Sequence, residues 1–207
     1  MNPGHLEYRR MLEFWFEFAS PYSYIAAMRI QQLCDGAAVR VAWKPFMLGP
    51  IFEMQGWGDS HFNLNSLRGG YMWRDLERLT AKFGFPWKKP SAFPRSSALA
   101  SKIACTFDEE PWCGDFIRRV FVANFGEDRD ISTPEVVSEI LSGAGRDPQA
   151  AIDAATSAEN RGLLRANTER AIQLGIFGAP NCVVNGELFW GEEALEDAIA
   201  WSKTSAT

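Results

Sequence analysis

Histidine is scarce in this chain, at two residues (His5 and His61), and cysteine stops at four, Cys34, Cys105, Cys113 and Cys182. The cysteines are scattered and form no C-x-x-C pair, so dithiol–disulfide exchange through such a pair is excluded. Unpaired cysteines suit a reducing compartment. Neither histidine has a neighbour at metal-ligand spacing, so no metal site is expected. No apolar run is long enough to span a bilayer, and no membrane association is expected. Glu13 and Glu17 interrupt the one early apolar run, and no small-residue cleavage site follows it. A secretion signal is therefore not expected, and the chain reads as cytoplasmic. Blocks of like charge are missing too, and a formal net charge of -5 argues against broad binding to nucleic acid. Residues 1–10 carry no pattern and read as an extension, with Met11 a candidate start.

What is present is a folded globular composition, 46% hydrophobic and 23% charged over 207 residues. That length holds one large domain, or a compact domain carrying an insertion. The most informative stretch is 12–23. Leu12, Phe14, Phe16 and Phe18 alternate with Glu13, Trp15 and Glu17, the period of a strand, and Ser20-Pro21 supplies an N-cap and a first helical turn. A helix over about 22–33 follows, then a strand at 39–43. Strand, helix, strand at this spacing predicts a right-handed crossover between parallel strands.

From 46 to about 174 the pattern is mainly helical. Helices are expected over 71–83, 96–107 and 116–125, then after Thr133-Pro134, after Asp147-Pro148, and over 157–174 up to Gly175. Residues 49–70, rich in Gly, Asn and Ser, read as a long functional loop. The period then returns to that of strands. Residues 181–184 form a short strand, Asn185-Gly186 a two-residue hairpin turn, and 187–190 the returning strand. A closing helix over 191–201 turns Ala194, Leu195, Ala198, Ile199 and Trp201 inward.

A strand that delivers the Ser20 hydroxyl to a helix N-terminus makes a place where an anion, or a thiol becoming a thiolate, is stabilised. The bland alternative is that Ser20 merely caps the helix. Gly178-Ala179-Pro180, just before another strand, is a candidate second half of such a site, or an ordinary loop proline. Most of the eight tryptophans and fifteen phenylalanines are expected in the core. Trp57 and Phe62, in the polar loop, are candidates for a substrate wall. Cys182 reads as a buried strand residue.

The order βαβ, helical block, ββα resembles the thioredoxin fold of the DsbA type. Four motifs narrow the resemblance. They are Phe18-Ala19-Ser20-Pro21-Tyr22-Ser23-Tyr24, Arg68-Gly69-Gly70-Tyr71-Met72-Trp73-Arg74-Asp75-Leu76, Gly175-Ile176-Phe177-Gly178-Ala179-Pro180, and Leu188-Phe189-Trp190-Gly191. In this order they are similar to the 2-hydroxychromene-2-carboxylate isomerase family and the related kappa-class glutathione transferases. The resemblance implies an α/β, thioredoxin-like fold (βαβ…ββα) with a large all-helical insertion: a discontinuous domain of 11–45 and 175–207 around an insertion of 46–174.

The resemblance further implies glutathione as cofactor, Ser20 as the catalytic residue that stabilises its thiolate, and a cis-proline loop at Ala179-Pro180. Arg68, Asp75, Glu192 and Glu193 become candidate glutathione contacts, and Trp57 and Phe62 candidate substrate contacts. Arg74, and Lys44 toward a substrate carboxylate, are weaker candidates. Each charged residue has the alternative of a solvated or salt-bridged surface role. The chain departs from the family pattern in three places. Arg68 stands where lysine is usual, Trp57 falls near the position of a kappa-class asparagine, and Glu192-Glu193-Ala194 follows Trp190-Gly191. The implied partner is a small aromatic-derived substrate, in a cytoplasmic homodimer. Two alternatives stay open: a kappa-like transferase or peroxidase that consumes glutathione, and a catalytically silent thioredoxin-fold binding protein using the Pro180 loop.

Overall fold

In the computed structural model, which describes residues 10–204, four strands form one sheet in the order β2-β1-β3-β4. The expected N-terminal extension and His5 fall almost wholly outside the described residues. The central strand β1 (Arg10–Phe16) pairs in parallel with β2 (Val39–Pro45) and antiparallel with β3 (Asn181–Val184), which pairs antiparallel with β4 (Glu187–Trp190). Helix α1 (Pro21–Ala37) makes the crossover from β1 to β2. It ends where Ala38 takes a left-handed conformation (φ 54°). The Asn185-Gly186 turn has both residues at positive φ, as a tight primed hairpin requires.

Between β2 and β3 lie helices α2 (Leu48–Met54), α3 (His61–Leu64), α4 (Ser66–Phe83), α5 (Ala98–Thr106), α6 (Cys113–Phe121), α7 (Pro134–Gly143), α8 (Pro148–Thr156) and α9 (Leu163–Gln173). Thr133 and Asp147 cap α7 and α8 through their side chains, with Pro134 and Pro148 opening each helix as expected. The expected loop of 49–70 is instead largely helical, holding most of α2, all of α3 and the start of α4. Asn65 caps α4 by accepting the Arg68 amide. The two glycines within α4 do not break it, because Gly69 lies against the Phe62 carbonyl, where a Cβ would come within 2.4 Å. Close packing there needs glycine.

The alternation along β1 sends Leu12, Phe14 and Phe16 into the larger core, with α1, α6 and Phe121, and Trp15 into a second core with Phe46, Ile51, Ala171 and Ile176. Both faces of the sheet are thus covered. Phe16 sits 5.8 Å from Phe121 and 5.1 Å from Phe18, ring centre to ring centre. Burying one such ring stabilises the fold by roughly 1.5–3 kcal/mol. Helix α10 (Leu195–Trp201) closes the chain, burying Leu195, Ala198 and Ile199. Trp201 was expected inward but is exposed, since it ends a helix shorter than the pattern suggested.

Candidate active site

Strand β1 ends at Phe16, and the next residues turn into α1 with Ser20 at its cap. The Ser20 hydroxyl accepts the Ser23 amide at 3.2 Å and donates to the Ala179 carbonyl at 3.1 Å. The peptide bond between Ala179 and Pro180 is cis. The two halves of the site, 159 residues apart, are therefore joined by one hydrogen bond. Ser20 is only 6% exposed, yet it lines the large cavity described below. The first turn of α1 has few donors to spare. Pro21 has no N–H, the Ser23 amide is taken by Ser20 Oγ, and the Tyr24 amide bonds the Ser20 carbonyl. Among the described residues that leaves the Tyr22 amide without an acceptor.

A cavity of about 1090 Å³ opens beside this junction. Nine residues singled out in the sequence as site candidates line it: Ser20, Trp57, Phe62, Arg68, Asp75, Ala179, Pro180, Glu192 and Glu193. Their circumstances differ. Asp75, on α4, accepts from Tyr22 Oη at 3.1 Å and pairs with Arg78 at 2.8 Å. Burial, with Asp75 next, pushes the Tyr22 hydroxyl well above its ordinary range, so it stays a donor. Glu192 is buried and paired with Arg29 of α1 at 2.6 Å. Burial still raises its carboxyl, which the arginine only partly offsets. The carboxylate is thus committed to the fold, leaving Glu193, exposed and with no ion pair among the described residues, as the available one. Gly191, at φ 103°, makes room for it, since a Cβ there would meet the Glu193 carboxylate at 2.8 Å.

Arg68 is exposed on α4 at the cavity and forms no ion pair among the described residues. The weaker cationic candidates do not reach the cavity. Arg74 pairs with Glu77, and Lys44 pairs with Asp108. Both fall to neighbouring carboxylates, Arg74 on the surface and Lys44 in a half-buried pair. Trp57 and Phe62 form an aromatic wall with Phe52 and His61, with rings 5.7 Å apart for Phe52–Trp57 and 3.9 Å for His61–Phe62. Phe62 in turn contacts Tyr22 at 6.2 Å.

Two groups at this site escaped the sequence reading. Glu17, 3% exposed, accepts the Leu48 amide at 3.1 Å and the Ser97 hydroxyl, and lines the cavity behind Ser20. Burial raises its carboxyl above the ordinary value, more than these hydrogen bonds lower it. The second is a brace. Helix α6 runs into a π-helical turn at Val122–Gly126, where Asn124 donates to the Phe18 carbonyl at 3.1 Å. Buried Arg95 donates to Asn124 and pairs with Asp128 at 2.5 Å, locking the turn that presents Ser20. The pairing is tertiary, and no local pattern in the sequence marks it.

All four cysteines are free and buried, and burial raises the thiols of Cys34 and Cys105 to about 12. None is poised as a nucleophile. Cys182 is a buried strand residue, as expected.

A serine hydroxyl at a helix cap, bonded to the residue before a cis-proline in a four-stranded mixed sheet, defines a thioredoxin-fold site without its redox cysteines. Residues 11–199 match the model of the DsbA-like thioredoxin domain, and the chain belongs to that family. It is 24% identical over 188 residues to a 2-hydroxychromene-2-carboxylate isomerase of Sphingobium xenophagum, covering 90% of this chain and 95% of the relative. It is 25% identical to glutathione S-transferase kappa 2 of Caenorhabditis elegans, over 83% of this chain and 80% of that one. A solved structure of a 2-hydroxychromene-2-carboxylate isomerase superposes with a TM-score of 0.78 at 24% identity, covering 92% of this chain and 95% of that structure. These relatives support an enzyme in the DsbA-like family. Among the described residues no helix is long and apolar enough to cross a membrane.

Proposed function

We propose that this protein is a glutathione-dependent isomerase of the 2-hydroxychromene-2-carboxylate isomerase type, acting on a small conjugated substrate from aromatic catabolism. The observation that carries the reading is the hydrogen bond from Ser20 to the Ala179 carbonyl at the rim of a cavity wide enough for a tripeptide and an aromatic molecule together. The residues suit glutathione. Ala179 offers a carbonyl, Glu193 and Asp75 offer carboxylates for its ammonium, and Arg68 offers a cation for a carboxylate. Glu192, held by Arg29, shapes the wall rather than binding.

An extended peptide backbone laid along Ala179 presents an N–H to its carbonyl, in the manner of an added strand. That exchange frees the Ser20 proton. Ser20 still accepts the Ser23 amide, and its hydroxyl turns to the ligand sulfur with the Tyr22 amide beside it. A serine has one donor and two acceptor lone pairs, enough for both tasks. Bound glutathione would supply a thiolate for reversible addition to a conjugated enone, the chemistry that would let the former double bond rotate. Trp57, Phe62 and Phe52 hold the aromatic part and exclude water. Ser20 acts by stabilising the sulfur anion, and glutathione is not consumed. The protein acts in the cytoplasm as a homodimer, with the strands and α1 as a thioredoxin-like unit (11–45, 175–207) around a helical insertion (46–174).

The test is to titrate glutathione calorimetrically and to assay 2-hydroxychromene-2-carboxylate isomerisation with and without it. Glutathione binding and glutathione-dependent turnover without its depletion are expected. Depletion of glutathione with an electrophile or a hydroperoxide, and no isomerisation, would instead identify a transferase or peroxidase. No binding at all would leave the silent binding protein.

A further inference from the structure

His61 is the one histidine among the described residues, and the roles assigned so far leave it unused. It opens the short helix α3 and lines the cavity. Its ring is wedged into the aromatic wall, 3.9 Å from Phe62, 5.4 Å from Trp57 and 6.1 Å, edge on, from Phe52. Nδ1 is buried with no hydrogen-bond partner, and Nε2 is not among the atoms so enclosed. A buried ring nitrogen left unpaired costs about 1–3 kcal/mol and calls for an explanation. A residue serving only to fill the wall would be better as phenylalanine, which has no nitrogen to strand.

We infer that His61 carries the proton in the ring-opening half of the reaction, through Nε2, the ring nitrogen that the fold does not enclose. This inference rests on the isomerase reading. A 2-hydroxychromene-2-carboxylate is a cyclic hemiketal, and opening it moves one proton. The 2-hydroxyl gives its proton to Nε2, the bond between C2 and the ring oxygen breaks with its electron pair passing to that oxygen, and C2 becomes a ketone. The imidazolium then returns the proton to the phenolate. Atoms and charge balance with no other reactant. The same wall that stacks on the aromatic ring thus holds the group that shuttles its proton, while Ser20 serves the sulfur that permits rotation.

The surroundings disfavour a lasting cation, so the imidazolium is short-lived. Burial, and next the positive charge of Arg68, lower the imidazole pKa below its ordinary value of 6.5, so His61 rests neutral at neutral pH and gives up its proton readily. Other charged groups lining the cavity are Glu17, Glu53 on α2, Asp59 before α3, Asp75 on α4, Arg95, Glu192 and Glu193. Asp59 is engaged by the Ser60 amide and Asn63, and Asp75 by Tyr22 and Arg78.

The experiment compares the wild type with His61→Gln and His61→Phe. The phenylalanine variant keeps the aromatic packing, so its melting temperature separates a folding defect from a chemical one. The readouts are kcat against pH, glutathione affinity, and the protonation of isotope-labelled His61 by NMR when a phenolic carboxylate is added. The wild type is expected to lose kcat on the acid side with an inflection below pH 6.5, and its His61 resonances are expected to shift with the phenol. Both variants are expected to lose about 100-fold or more in kcat, the usual share of a general acid–base group, to lose the acid limb, and to keep glutathione affinity. A folded His61→Phe with wild-type kcat and an unchanged pH profile overturns the role of His61 alone. A wild type that neither binds glutathione nor isomerises overturns the isomerase reading, and this inference with it.

Discussion

Replacing Ser20 by alanine removes one oxygen that does two things, and the two are measurable apart. In the ligand-free protein the hydroxyl caps α1 through the Ser23 amide and tethers the cis-proline loop through the Ala179 carbonyl. Loss of the cap costs about 1 kcal/mol, and loss of a neutral hydrogen bond about another 1 kcal/mol. For a chain of this size, ~2 kcal/mol lowers the melting temperature by about 4–8 °C. In catalysis the same oxygen faces a charge, and a hydrogen bond to a charged group contributes about 1.5–3 kcal/mol. At 1.36 kcal/mol per tenfold, kcat is expected to fall roughly 10–150-fold at neutral pH. Threonine keeps the hydroxyl, so Ser20→Thr should recover both the melting temperature and most of the rate. The assays are thermal unfolding without ligand and glutathione-dependent isomerisation at saturating substrate. A Ser20→Ala protein that melts several degrees lower yet turns over at the wild-type rate would refute the reasoning, because the serine would then be a helix cap and nothing more.

Glu17 gives a pH signature. Burial raises its native pKa above the ordinary 4.5, so the folded protein holds this proton more tightly than the unfolded chain does. Its stabilising contribution is full below pH 4.5 and is lost as pH rises through the native value. The stability of the wild type minus that of Glu17→Gln, from urea unfolding at a series of pH values, should therefore decline above pH 4.5, and a flat difference contradicts the account. Gly69→Ala places a Cβ 2.4 Å from the Phe62 carbonyl. It should cost about 1–3 kcal/mol, as overpacking usually does, and weaken ligand binding along the aromatic wall; unchanged melting and binding would show that α3 and α4 are loosely coupled. The four buried cysteines should resist a thiol-labelling reagent in the native protein and react fully in denaturant. Fast native labelling of any one would contradict its burial.

The sequence made the frame of this site legible because local chemistry and tertiary role coincide there. Ser20-Pro21 had to begin a helix, Asn185-Gly186 had to turn a hairpin, and the alternation of 12–18 had to be a strand. The resemblance then joined Ser20 to Ala179, which local pattern alone does not do. The failures have physical causes. Glu17 read only as part of the alternation of a strand, but α2 and α9 cover the face around Trp15, so both sides of β1 are interior. Residues 49–70 read as loop because they are rich in Gly, Asn and Ser, and only the approach of Phe62 explains Gly69. Glu192 and Glu193 are alike in sequence, and what separates them is Arg29, which is 163 residues from Glu192 in the chain. His61 had no partner at any useful spacing, and its place in the wall depends on three aromatic side chains folding around it.

The ultraviolet absorbance of bound glutathione against pH reports its thiolate directly. On this account the sulfur ionises well below the ~8.5 of a free thiol when it is in the wild-type cavity, and in Ser20→Ala it returns about 1–2 pH units toward that value. A bound thiol that titrates as it does in water, or with the same midpoint in both proteins, would contradict the claim that this serine makes the thiolate.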